Sequence, residues 1–362
     1  MPRPFALLRR RIALIPLVAL VLLGSACAAG APSDTATPPA GGPSASSSEV
    51  SPPSGERTKI RLHEVTHSPF YAPQYVALAL GYFTDEGLDV ELVDGKGGDK
   101  VTTALLSGNA DVILVGAEMA VYVNAQTPQD PMVVFARLTK RDGSFLVSRT
   151  PMEPFRWEDL RGKKFLAQRK GGMPDMIARH VLRKHGLEPG RDLEFLQHVD
   201  YANLAPAFAS GTGDVVQLFE PFASTLARGG KGYVVAGFGP ESGDVLYTSY
   251  HARKSTLEAR RDVLIRFARA VARGQAYVRT HGPEEVARVL RDAFPGVDEP
   301  TLAEIVRRLQ ETDVFGADPL PPREDYERTL DILAENGMLT ARLPYEAVVD
   351  PSIAEAAMRS LR

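Results

Sequence analysis

Cysteine is nearly absent: Cys27 is the single one in 362 residues, which excludes internal disulfides and thiolate metal clusters. Phosphate-cradling glycine loops of the GxGxxG and GxxxxGK[ST] types are missing too, so nothing points to ATP hydrolysis by this chain. The seven histidines, His63, His67, His180, His185, His198, His251 and His281, are scattered. Only His63 and His67 have a suggestive spacing, and a predicted strand followed by Pro69 sends them in different directions, so no metal is expected. Excess positive charge is also lacking. Formal net charge is −3, and residues 1–27 hold four arginines and no acid, so the remainder carries −7, which disfavours nucleic acid as a partner.

What is present begins with a targeting pattern. Arg3, Arg9, Arg10 and Arg11 precede the apolar run 12–23, then Gly24, Ser25, Ala26 and Cys27. The run is twelve residues, short of the roughly 20 that a permanent membrane-spanning helix needs, so a signal peptide over 1–27 is expected. Cys27 lies where bacterial lipoproteins carry the acylated cysteine, and the segment resembles a lipobox with Gly24 in the place usual for leucine. Residues 28–55 are almost wholly Ala, Pro, Ser, Gly and Thr, with Asp34 and Glu49 as the only acids; such a segment cannot bury enough apolar surface to order itself and reads as a tether.

From Thr58 the pattern changes to β-type runs alternating with helical ones, the signature of a parallel sheet flanked by helices. Strands are predicted at 59–65, 89–93 and 111–115 with helices at 74–80, 99–107 and 119–125, and again at 164–168, 193–198 and 215–218 with helices at 175–185, 202–210 and 221–227. The duplication is visible in residues: Ala104-Leu-Leu-Ser-Gly-Asn-Ala-Asp-Val112 aligns with Ala207-Phe-Ala-Ser-Gly-Thr-Gly-Asp-Val215. In each copy a helix stops at Ser-Gly, where glycine supplies a left-handed cap, and Asp-Val opens a strand. The expected fold is α/β with two lobes, each a mostly parallel sheet flanked by helices.

Open α/β sheets bind ligands beyond the carboxyl ends of their strands, so the strand-to-helix loops are the candidate lining of a cleft between the lobes. They carry His67, Phe70, Tyr71, Gly116, Glu118, Gly171, Gly172, Tyr201, Phe219, Glu220 and Phe222. The aromatics offer flat apolar surface for a planar ring or pack as core. The two acids follow the third strand of each lobe, one residue out of register. No catalytic residue and no cofactor is expected.

The stretches Pro69-Phe-Tyr-Ala-Pro-Gln-Tyr-Val-Ala-Leu78, Gly81-Tyr-Phe-Thr-Asp-Glu-Gly-Leu-Asp-Val-Glu-Leu92, Leu106-Ser-Gly-Asn-Ala-Asp-Val112 and Phe219-Glu-Pro-Phe222 resemble solute-binding proteins of ABC importers for nitrate, alkanesulfonates, taurine and thiamine-related pyrimidines. The resemblance spans roughly 59–339 and implies a type II periplasmic-binding fold. It implies lobe 1 over 56–144, lobe 2 over 145–246, and a return to lobe 1 with C-terminal helices over 247–362, the crossings lying near 143–149 and 245–251. It further implies a small-molecule ligand and a membrane permease with its ATPase as partners; a monomer is expected, and the lipobox-like segment at Cys27 places it, lipid-anchored, on the extracytoplasmic face. A pyrimidine-synthesising enzyme group shares this fold, but its cysteine-rich segment has no counterpart here, so the chain does not read as an enzyme.

The ligand is signalled two ways. Glu118 and Glu220 suit a neutral or cationic heterocycle bearing amino groups, because a carboxylate accepts two donors at once. Arg169-Lys-Gly-Gly-Met-Pro174, opening a helix, suits an oxyanion such as an alkanesulfonate, taurine or nitrate. The heterocycle is the preferred expectation, with Glu220 as the first site residue; its competing role is a helix cap.

Overall fold

Alternation along the first strand, β1 (Thr58–Glu64), turns Ile60, Leu62 and Glu64 to one buried face, so the strand delivers a carboxylate to the interior beside two aliphatic residues. The computed structural model describes residues 56–126 and 128–361. Its strands continue as β2 (Leu88–Asp94), β3 (Val112–Gly116), β4 (Met132–Arg137), β5 (Ser144–Ser148), β6 (Lys164–Leu166), β7 (Glu194–Leu196), β8 (Val215–Phe219), β9 (Tyr233–Gly237) and β10 (Thr248–Arg253). The signal segment, Cys27 and the tether lie outside the described residues.

Two five-stranded sheets result, in the orders β2-β1-β3-β10-β4 and β7-β6-β8-β5-β9. The first three strands of each are parallel, and the fourth is antiparallel to both its neighbours. The sheets therefore share one topology. The chain leaves the first after β4, builds the second from β5 to β9, and returns through β10; each sheet's fourth strand is laid down on a crossing between the two. This is the two-lobed, mostly parallel α/β architecture expected from the alternation of elements, with the antiparallel strands added by the crossings.

The repeat has a structural cause that its residues disclose. Asp111 accepts the Arg61 backbone N–H at 2.9 Å and returns its own N–H to the Arg61 carbonyl at 3.0 Å. In the second lobe Asp214 accepts the Lys164 N–H at 2.8 Å and donates to the Lys164 carbonyl at 2.8 Å. Each aspartate thus fastens the start of the third strand to the first. The preceding glycines, Gly108 and Gly211, have φ of +79° and +110°, a backbone that side chains with a Cβ rarely adopt.

In the second lobe, β6 and β7 are three residues long, shorter than the sequence pattern suggests. Beyond them side chains take over: Gln168 donates to the Gln217 carbonyl at 2.8 Å, and Gln197 donates to the Gln168 carbonyl at 2.7 Å. The C-terminal helices Arg261–Thr280, Pro283–Leu290 and Glu299–Glu311 pack on the first lobe: the first two touch the helix Ala72–Ala79, and the third touches the turn Pro69–Tyr71. Tyr250, Phe135 and Phe267 fill the first core, while Phe165, Phe208 and Phe238 fill the second.

Candidate functional site

The segments after β1 and β3 meet those after β6, β7 and β8. Ser68 Oγ, which caps the turn Pro69–Tyr71, donates to the Glu220 carbonyl at 2.6 Å. Tyr122 donates to the Gly171 carbonyl at 3.1 Å, and the Thr66 and Tyr201 hydroxyls lie 3.4 Å apart. All three contacts join one lobe to the other.

Between them the structure gathers all five candidate aromatics. Phe70, fully buried, has its ring centroid 5.3 Å from Tyr71, 5.5 Å from Phe219 and 5.8 Å from Tyr247. Tyr201 continues the cluster toward Phe219 at 6.4 Å and Phe222 at 6.2 Å. Tyr247, just ahead of β10, was not singled out in the sequence, because nothing local distinguishes it from a core tyrosine. Gly143, against Phe70, is glycine for a steric reason: a Cβ there would lie 2.1 Å from the Phe70 ring.

Glu118 opens the helix Glu118–Asn124 and folds back over Gly116, where a Cβ would come within 2.0 Å of its Oε2. Its Oε1 crosses to the other lobe and accepts the N–H of Met173, 3.2 Å away, in the first turn of the helix Met173–Lys184. Oε2 has no hydrogen-bond partner among the described residues. Burial pushes this carboxyl up from 4.5 to about 7, against the pull of the two backbone N–H groups it faces.

The glycine-rich segment read as an anion cradle is thereby taken up by the protein's own carboxylates. The Gly171 N–H goes to Asp175 at 2.9 Å and the Met173 N–H to Glu118, while Gly172 is the residue preceding the helix. Arg169 is exposed and pairs with Asp99 of the first lobe at 3.1 Å, and Lys170 is exposed.

Glu220, the first choice from sequence, is fully buried with both oxygens engaged. Oε2 accepts the Ser224 N–H at 2.9 Å, and Oε1 accepts the Ser224 hydroxyl at 2.9 Å and the Arg308 guanidinium at 2.5 Å. Burial raises its pKa while Arg308 holds it down. Its bond to the Ser224 N–H is that of a helix cap, and the acceptor left open among the described residues belongs to Glu118.

His67 turns toward protein partners. Nε2 donates to the Ala293 carbonyl at 2.8 Å and Nδ1 lies 2.8 Å from Glu64 Oε1, with Phe294 against the ring at 4.7 Å. Gln74 and Tyr75 both donate to Glu64 Oε2, at 2.8 and 2.7 Å. The Glu64 bond raises the His67 pKa, opposed by burial. A second buried acid missed in the sequence is Asp142, between β4 and β5, which accepts the Ser144 N–H at 2.7 Å and the Tyr247 hydroxyl at 2.6 Å. Glu64 could have been found by strand alternation; Asp142 and Arg308 carry no local signal. Among the described residues no group of three or more His, Cys, Asp and Glu is placed to hold a metal ion.

A model of the family described as NMT1/THI5 like matches residues 68–286, which hold β2 to β10 and most of this site. A Bacillus subtilis (strain 168) protein named "Putative binding protein YtlA" is 44% identical over 298 residues, covering 82% of this chain and 89% of its own. The chain belongs to the NMT1/THI5-like family. Solved structures carry the same fold at low identity. The ligand-binding component of an ABC-type import system from Staphylococcus aureus, with zinc bound, superposes with a TM-score of 0.68 at 15% identity over 83% of this chain and 99% of that one. The alkanesulfonate-binding protein SsuA of Xanthomonas axonopodis pv. citri, bound to MOPS, gives 0.65 at 16% identity over 82% and 100%. The architecture is the periplasmic-binding-protein fold.

Proposed function

We propose that the protein is the solute-binding component of an ABC importer, held outside the membrane by a lipid on Cys27, and that it captures a small pyrimidine-like heterocycle bearing amino groups between its two lobes. One observation carries the choice of ligand class: Glu118 Oε2 is buried and without a partner among the described residues, within electrostatic reach of Tyr71 and Tyr247 of the aromatic cluster. A buried acceptor calls for a donor, and an amino-substituted aromatic ring supplies the donor together with a flat face for Phe70, Tyr71 and Tyr201. An oxyanion at the N-terminus of Met173–Lys184 would have to displace the Glu118 carboxyl from the Met173 N–H.

The importer role is supported by family membership and by the kind of protein that shares the fold. The solute would be handed to a membrane permease driven by a separate ATPase, with this chain acting as a monomer. Calorimetry with 4-aminopyrimidines against alkanesulfonates, taurine and nitrate tests the ligand. Binding of an aminopyrimidine that weakens at least tenfold in Glu118→Gln is expected, since a hydrogen bond to a charged group contributes about 1.5 to 3 kcal/mol. Binding of only the oxyanions overturns the ligand class and leaves the importer role standing. The anchor is tested separately, by membrane fractionation of Cys27→Ala, which should release the protein.

A further inference from the structure

Each of the two acids related by the internal duplication reaches out of its own lobe and into the other. Glu118 stands after β3 of the first lobe, and its Oε1 takes the Met173 N–H of the second. Glu220 stands after β8 of the second lobe, and its Oε1 takes the guanidinium of Arg308 on Glu299–Glu311. That helix belongs to the first lobe: it packs on Pro283–Leu290 and on the turn Pro69–Tyr71, and Gln310 near its end donates to the Val278 carbonyl at 2.7 Å. Ser68 of the same turn adds its bond to the Glu220 backbone carbonyl. The contacts run in opposite directions across the same junction.

We infer that Glu118 and Glu220 form a reciprocal latch between the lobes, and that Arg308 is its positioning residue, reaching across to Glu220 and so setting how often the lobes part. Arg308 carries its charge to a side chain that is otherwise satisfied within its own lobe by Ser224, and it donates to the Ser224 hydroxyl as well, at 3.0 Å. Cutting the Arg308 contact therefore removes a tie between lobes without uncapping the helix Phe222–Arg228. The remaining side of the guanidinium is held by Glu304 at 2.8 Å on its own helix, which keeps Arg308 extended toward the junction. The latch is independent of which solute is captured, so its test uses no ligand.

The Met173 amide reads the latch from its far side. As the first residue of a helix it has no intrahelical acceptor, so its protection from exchange rests on Glu118 of the other lobe. In the full-length protein, with no solute added, amide hydrogen exchange is followed at Met173 in wild type and in Arg308→Met, with Glu118→Ala defining the unprotected limit. Arg308→Met is expected to speed Met173 exchange about tenfold, the factor that corresponds to losing one charge-assisted bond, while amides of the β1–β3 core are unchanged. Arg308→Leu, which also lacks every donor, gives the same reading should Arg308→Met fail to fold, and Arg308→Lys restores part of the protection. Unchanged Met173 exchange in folded Arg308→Met or Arg308→Leu overturns the latch and reduces Arg308 to a local partner of Glu220 and Ser224. Aminopyrimidine binding plays no part in that outcome.

Discussion

Glu118→Gln isolates the proton carried by the buried junction. Burial raises the Glu118 carboxyl from 4.5 to about 7, so the folded protein holds a proton there that the unfolded chain has released above its ordinary range. A folded-state pKa above the unfolded one contributes stability that is fully present below the unfolded value and is lost as pH rises through the folded one. The window therefore runs from pH 4.5 to about 7, and the loss across it corresponds to about 3 kcal/mol. Glutamine keeps an amide oxygen for the Met173 N–H and cannot ionise. The variant should match wild type near pH 5 and melt higher at pH 8, by about 5 °C for a domain of this size. Thermal unfolding followed by circular dichroism at pH 5, 6, 7 and 8 gives the curve. Asp142 also titrates upward, to about 6, but it is common to both proteins and cancels in the difference. A difference that does not change with pH would refute the raised carboxyl, and a variant less stable at pH 8 would reverse the sign of the reasoning.

Two other predictions concern the aromatic cluster and the crossing between the lobes. Gly143→Ala places a methyl 2.1 Å from the Phe70 ring, which is walled in by Tyr71, Phe219 and Tyr247; overpacking of this kind costs about 1 to 3 kcal/mol. Denaturant unfolding should show that cost shrinking when Phe70→Leu is added, and independent costs would mean that Phe70 can move aside. Tyr247→Phe removes a hydroxyl that donates to Asp142 at 2.6 Å and helps keep that carboxyl ionised. Its carbon-13 titration midpoint should then rise above about 6, whereas a fall would show that the Tyr247 bond does not favour the carboxylate.

The architecture was legible because the signals that specify it are local. Strand alternation, helix periodicity and the Ser-Gly-x-x-Asp-Val pattern each act within a few residues, and the pattern recurs because Asp111 and Asp214 perform the same fastening in both lobes. The aromatics were legible for a related reason: strand-to-helix loops in two similar lobes face one another, so rings placed on them converge. What the loops do with their polar groups was not. His67 could have pointed into the junction as easily as toward Glu64, and only the placement of Ala293, 226 residues away, turns its Nε2 inward. Arg308 lies 88 residues from Glu220 on a helix whose amphipathic pattern specifies burial without naming a partner.

The two ligand signals show most clearly where a linear reading stops. Taken along the chain, Glu118 is an acceptor in search of a donor and the segment 169–174 is a set of donors in search of an anion, so they argue for opposite solutes. Folding sets them face to face, and Met173 gives its N–H to Glu118. The conflict disappears once each is recognised as the other's partner. What is left over among the described residues is one unpaired carboxyl oxygen, Glu118 Oε2, and on the function proposed above it is the acceptor that a donor-bearing solute would meet.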